Sequence, residues 1–301
     1  KTAKLFRYLI LPIAAIAVLL VSYLRLADNY ELETLDFRFH LRPAHATTDK
    51  VVLIEIGDDT LKNLGQWPIA RNYHALLIKA LSESGAKSII FDMFFSEARE
   101  YDDDLESAIR DAKNVYMPFV FELDPKKRGS FASATGYAGK NILRFSLANK
   151  GEGQINIFPD LDGKFRRIPL LVNYGGSWYP YISFLAACDY LGLPVKDAVI
   201  VPGKEISLGS LRIPLDDSSN MIINFSGKWA TAYKHYSYSD IVQSYAAPAI
   251  GQKPILDLNL FKDKVCVVGL TATGTVDLHP NPFETLYPGF GIHAELFNSL
   301  L

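Results

Sequence analysis

Val51 to Asp92 reads VVLIEIGDDTLKNLGQWPIARNYHALLIKALSESGAKSIIFD, and its internal rhythm decides the fold. VVLIEI is an apolar run of strand length, broken by Gly57-Asp58-Asp59. Asn72 to Ser84 carries apolar residues at helical spacing, with Gly85 placed to stop the helix. Ser88 to Asp92 (SIIFD) is a second unbroken apolar strand, the pattern of a sheet buried on both faces. Asp102 to Ala112 reads as another helix and Asn114 to Val120 (NVYMPFV) as a third strand. Strand–helix–strand–helix–strand is the sign of a doubly wound, mostly parallel α/β sheet with helices on both faces.

Working outward, Tyr8 to Leu24 (YLILPIAAIAVLLVSYL) is one apolar run of 17 residues, the short end of what crosses a bilayer. Arg7 and Arg25 flank it and can snorkel. Lys1, Lys4 and Arg7 precede it, whereas Asp28, Glu31, Glu33 and Asp36 follow. That asymmetry predicts an N-terminal transmembrane helix with a cytoplasmic N-terminus in the cell (inner) membrane. Residues 1–28 are thus expected to be the cytoplasmic end and anchor, and residues 29–301 an extracytoplasmic domain. A cleaved signal peptide is the competing reading, but Val21, Tyr23, Leu24 and Arg25 are bulky where its cleavage site would need small residues. Asn29 to His40 follows as a connecting helix with Leu32, Leu35 and Phe39 on one face.

The middle of the chain reads differently. Gln154–Phe158 and Phe165–Tyr174 flank the turn segment DLDGK and suggest an antiparallel hairpin extending the sheet. Alternation along Phe165–Pro169 sends Arg166 and Arg167 to opposite faces, so the inward one needs a carboxylate partner. Pro180–Leu191 reads as a helix, Ser207–Pro214 as a small hairpin, and MIINF (Met221–Phe225) and KVCVVG (Lys264–Gly269) as buried strands. A last helix begins near Phe290 and runs to Leu301, an unusual terminus that reads as the end of a fragment.

Composition narrows the function. The 301 residues carry a net charge of −2, without the basic stripe that nucleic-acid binding requires. Cys188 and Cys266 are too few for a disulfide scaffold and read as small core residues. GLTATGT (Gly269–Thr275) has phosphate-loop glycines, but Thr275 stands where the lysine belongs. GFGIHA (Gly289–Ala294) is preceded by Tyr287-Pro288 rather than a strand, and Asp160–Gly163 lacks calcium ligands at the outer positions of its loop. The six histidines are scattered; His279 and His293 lie near each other but read as solvated loop or helix-face residues. No metal site and no catalytic set is expected, and no cofactor is assigned.

What remains is positional. Ligands of open parallel sheets sit beyond the carboxyl ends of the strands. Asp58, Asp92, Thr271 and Thr273 lie at such ends, Arg71 precedes the first long helix, and Asp277 follows in an irregular loop. These residues are the candidate ligand-binding rim. The alternatives are that Asp58 or Asp59 caps a short helix and that Asp92 pairs with Arg71.

The run DFRFHLRP, the segment from VVLIEIGDD to LLIKAL, and GAKSIIFDMFF resemble the type-two CHASE domain. PDLDGKFRRIPLLV, MIINFSG with YSYSDIV, and KVCVVGLTATGTVDLHPNPF leading to YPGFGIHAELFNSLL agree in the same order. The resemblance implies an extracellular sensory module behind a transmembrane helix, with further membrane helices and a cytoplasmic cyclase, diguanylate cyclase or kinase beyond it. It also implies a place in the family pattern for Asp162, Gly163, Arg166, Arg167 and Pro169.

Three readings follow: a membrane-anchored sensor of an external stimulus ligand or exported protein, working as a homodimer; an assembly module; or a carboxylate enzyme using Asp58 and Asp92 as acid and base. For the sensor, the connecting and terminal helices are expected to pack together, Leu32, Leu35 and Phe39 against Leu296, Phe297 and Leu300.

Overall fold

The computed structural model describes residues 10, 12–20, 28–42, 46–124 and 130–301. In chain order its elements are α1 (Asp28–Leu41), β1 (Val51–Ile56), α2 (Asp58–Leu64), α3 (Arg71–Glu83), β2 (Ser88–Phe91), α4 (Asp102–Ala112) and β3 (Val115–Leu123). Next come β4 (Ala132–Gly139), α5 (Leu143–Ala148), β5 (Gly151–Gln154), β6 (Arg167–Ile168), β7 (Leu171–Tyr174), β8 (Ser177–Pro180) and α6 (Ile182–Leu191). The last part holds β9 (Val199–Val201), β10 (Glu205–Leu208), β11 (Leu211–Pro214), β12 (Met221–Ile222), α7 (Trp229–Ala232), β13 (Lys234–Ser237), α8 (Tyr238–Ala246), β14 (Val265–Leu270) and α9 (Gly291–Leu300).

The main sheet runs β13-β1-β14-β2-β3-β4-β7-β8, with β5 also paired to β3. From β13 to β3, and on to β5, every pairing is parallel. Beyond Val120 the sheet changes character: β4 is antiparallel to β3, β7 parallel to β4, and β8 antiparallel to β7. The mixed α/β fold with a largely parallel centre is therefore present, and its four expected strands lie in one sheet. One detail of order differs. β14, the last strand of the chain, is inserted between β1 and β2, which the sequence places next to each other.

The unbroken apolar runs are explained by burial on two sides. Val51 and Leu53 of β1, with Val265 and Val267 of β14, enter the core under α6 and α9. Val52, Ile54 and Ile56, with Cys266 and Val268, enter the opposite core under α3, α4 and α8. Alternate residues of a strand point to opposite faces, so a strand covered on both sides has no polar position to spare. Each such side chain stabilises the fold by about 1.5–3 kcal/mol. α4 is reinforced by Asp102, Asp103 and Asp104 in its first turn and Arg110 in its last, which complement the helix dipole.

The Gln154–Tyr174 hairpin does not form. Its turn is real: the Gly163 amide donates to Asp160 O at 2.9 Å, and Gly163 takes φ +83°, a value glycine adopts without penalty. The flanks go elsewhere. β5 pairs in parallel with β3, Phe165 donates its amide to Pro280 O, β6 pairs with β12, and β7 joins β4 and β8. The sheet is extended instead by β4, β7 and β8, a mixed set in which β4 and β7 run parallel. MIINF likewise contributes a two-residue strand, β12, outside the main sheet.

Of the apolar run Tyr8–Leu24, positions 10 and 12–20 are described, and they are helical and exposed; the rest of the expected span lies outside the described residues. Among the described residues no helix is long and apolar enough to cross a membrane.

Candidate functional site

Beyond the carboxyl end of β2 a cleft of about 1670 Å³ opens, walled by α1, by Val120 and Phe121 of β3, and by the loops around residues 155–161 and 277–293. Asp92 directly follows β2 and is fixed there by its amide, which donates to Val268 O at 2.9 Å. Its carboxylate stands 3.3 Å from Nε2 of His293, carried on α9. On the other side of the ring, Nδ1 of His293 lies 3.4 Å from Oγ of Ser183, and the Tyr181 ring lies tilted against it at 5.4 Å. His279 approaches from the irregular loop. Its Nε2 is 3.5 Å from Asp277, its ring lies edge-on to Phe165 at 4.2 Å, and its Nδ1 is buried without a hydrogen-bond partner. Gly289 leaves room for that ring: a Cβ there would come within 2.3 Å of Nδ1.

Two imidazoles and two carboxylates thus share one cleft. Burial depresses the pKa of His279; Asp277 and Asp92 pull it up and His293 pushes it down, leaving it below the ordinary imidazole value. The imidazoles offer a donor and an acceptor nitrogen each and the carboxylates accept, a mixed set that suits recognition of a polar ligand. Ser183, His293 and Asp92 have the composition of a nucleophilic triad, but Ser183 is 0% exposed and lies behind the ring, so its hydroxyl orients His293 instead of facing the cleft. Among the described residues no group of three or more His, Cys, Asp and Glu is placed to hold a metal ion.

The six rim residues do not converge. Asp92 and Asp277 line the cleft. Asp58 is turned to Thr273, accepting from its amide and its hydroxyl at 2.8 Å each, contacts that hold the Asp58 carboxyl below its usual pKa. Thr271 donates to Glu55, which also meets His235. Arg71 is buried elsewhere, bonded to Asp102 and Glu97 O and lying over the Phe95 ring at 4.4 Å, beside a smaller cavity of about 180 Å³. Neither an Asp92–Arg71 bridge nor an Asp58–Asp92 acid–base pair is formed; each group has a different partner. Nor does Asp58 cap its helix, since α2 begins at Asp58 with Gly57 as its cap. The histidines are the larger surprise. His293 is buried and His279 nearly so, where solvated positions were expected.

The α1 wall is held by charge. Arg166 is inward and has the carboxylate partners expected of it, Asp36, Asp160 and Asp162, while Arg167 is half-buried against Asp160 and Asp216; the two arginines converge on Asp160 instead of parting to opposite faces. Lys164 adds a bond to Asp36 at 2.6 Å. Burial would raise the Asp36 pKa, but the bonds from Arg166 and Lys164 outweigh it and lower the pKa. Asp162 is brought down to about 2, chiefly by Arg166, whereas burial leaves Asp160 raised despite both arginines.

A family model, that of the CHASE2 domain, matches residues 13–301. The chain belongs to the CHASE2 family. Neither a curated protein nor a solved structure matches it. CHASE2 domains are sensory rather than catalytic, so a role in sensing is supported and a catalytic one is not.

The expected pairing of the connecting and terminal helices is indirect. α1 and α9 lie on the same face of the sheet, and Phe39 packs on the rings of Phe225 and Phe283. Arg42, just past α1, donates to Asn224 Oδ1 and Phe225 O. The same segment reaches α9: the Asn224 amide donates to Ser299 Oγ at 3.2 Å, and Ser226 donates its amide and hydroxyl to Glu295. α9 itself packs on α6, β1 and β14.

Proposed function

We propose that this CHASE2 domain is the exported sensory part of a membrane protein. Tyr8–Leu24 anchors it with the N-terminus in the cytoplasm, and residues 29–301 work outside. A polar stimulus ligand occupies the cleft against Asp92, Asp277, His279 and His293. The signal leaves through α1 and the anchor toward a cytoplasmic cyclase, diguanylate cyclase or kinase. The family match across residues 13–301 carries this reading. The route is supported by α1 forming one wall of the cleft and by the buried Asp36–Arg166 contact that fixes it. A ligand shifts output only if it binds two arrangements of α1 with different affinity, and a wall element is placed to sense that difference.

A pair of reporter fusions joined at residue 46 tests the topology. Alkaline phosphatase, active only outside, is expected to work there, and green fluorescent protein is expected to stay dark when exported unfolded. A bright, phosphatase-negative pair would reverse the assignment. Asp92→Asn and His293→Gln, assayed in the full-length protein, are expected to change the response to stimulus while export and protein level stay as in wild type.

A further inference from the structure

α1 carries apolar residues on two sides. Leu32 and Phe39, with the ion-paired Asp36 between them, turn inward, whereas Tyr30, Phe37 and Leu41 are 70%, 61% and 66% exposed on the opposite side. With exposed Thr34 these outer residues fall at positions 30, 34, 37 and 41, the alternating four-and-three spacing of a coiled-coil seam. Polar Glu31, Glu33, Arg38 and His40 flank this stripe on both sides.

The flanking charges identify the occupant. With Tyr30 and Phe37 at d and Thr34 and Leu41 at a, Glu33 takes position g and Arg38 position e of the following heptad. Those positions face each other across a parallel, in-register pair of identical helices. An antiparallel pair would set g against g and e against e, that is Glu33 against the partner subunit's Glu33. We propose that the outer face of α1 is a self-association seam on which a second copy of this chain packs in parallel, with Glu33 opposite Arg38 of the partner subunit. The body-facing residues occupy b, c and f and are left in place, so the seam and the Arg166 clamp act on the same helix from opposite sides. Arg38 also borders the cleft, but the inference does not depend on the cleft binding a ligand.

The test uses the full chain in its native membrane, with single cysteines at positions 30, 31, 33, 34, 37, 38, 40 and 41. Cys188 and Cys266 are buried and give no background crosslinks. Under mild oxidation the disulfide-linked dimer is expected to peak for Tyr30→Cys, Thr34→Cys, Phe37→Cys and Leu41→Cys and to fall at the flanking positions. Glu33→Lys is expected to lower the Phe37→Cys dimer roughly two- to tenfold, and adding Arg38→Glu to restore it. These residues are exposed, so export and the thermal midpoint of the domain should not change. Crosslinking that is absent, flat along the helix or centred on another face overturns the proposal, as does a charge swap without loss and rescue. A monomer leaves the sensory reading standing, and cleft variants without effect leave the seam standing.

Discussion

Arg166 donates Nε and Nη2 to the two carboxylate oxygens of Asp36, at 2.7 and 2.8 Å. The guanidinium is 0% exposed, and its remaining hydrogen bonds go to Asp160 and Asp162, on the loop that borders the cleft. One buried cation therefore ties α1 to the cleft wall.

Removing that cation should be costly. Arg166→Met takes the shared cation from Asp36, Asp160 and Asp162 and is expected to cost about 3–5 kcal/mol. Arg167→Met, at a side chain 31% exposed, is expected to cost roughly 1 kcal/mol. Equilibrium urea unfolding measures both; equal, small losses would show that the clamp contributes little.

Acid should weaken the fold in two stages. Burial, with a smaller push from Arg71, lowers the pKa of His74 from 6.5 to about 3, and its ring accepts or donates at 2.8 Å to the Tyr238 hydroxyl. Below pH 6.5 the unfolded chain takes up a proton at this position that the folded chain refuses. Stability is then lost as pH falls, at about 1.4 kcal/mol per pH unit, until the folded pKa is reached. His279, also lowered, adds in the same direction. Asp162, depressed to about 2, adds a second loss below its ordinary value of 3.8. His74→Phe should remove one proton's worth of slope between pH 6 and 4 in a pH series of unfolding curves. An unchanged slope would assign that acid loss to other groups.

The four cleft groups can be tested through one ring. NMR titration of His279 should place its pKa below the ordinary value. Asp277→Asn and Asp92→Asn should each lower it further, since each removes a carboxylate that raises it, and His293→Gln should raise it. Indifference of His279 to Asp92→Asn would mean that the two do not face each other.

Cys188, on α6, lies in the core on one face of the sheet and Cys266, on β14, in the core on the other. Burial pushes the Cys188 thiol up to about 12 and raises Cys266 as well. A thiol reagent should therefore label neither in the folded protein and both after denaturation. Labelling of one residue under native conditions would expose a local opening on that face.

The parallel centre of the sheet was legible because VVLIEI, SIIFD and KVCVVG are buried on both sides and carry a local signal strong enough to read. The position of β14 was not, since strand order depends on crossovers that leave no mark on the strands themselves. DLDGK announced its turn, yet Phe165 and Arg166 are held by Pro280 and Asp36, partners far away in sequence that outcompete a local hairpin. Asp92 is marked in the sequence by its place at a strand end and Asp277 by the irregular loop after Thr273. His279 and His293 read from the sequence as solvated residues because nothing in their spacing says that α9 and the loop before it return to the end of β2. The inner face of α1 was read from Leu32, Leu35 and Phe39; its outer stripe was masked by lying on the same helix.

The claim at the centre is that α1 carries the signal from cleft to membrane. Output of the full-length protein, measured in its own membrane at matched protein level, tests it most directly across Asp36→Asn, Arg166→Met and Arg71→Met. Arg71 is an equally buried arginine on a different carboxylate, Asp102, away from α1. The account predicts that releasing α1 with Asp36→Asn or Arg166→Met shifts the basal output and blunts the response to stimulus, whereas Arg71→Met leaves both as in wild type. Wild-type output from the two α1 variants, or the same shift from all three, would contradict it.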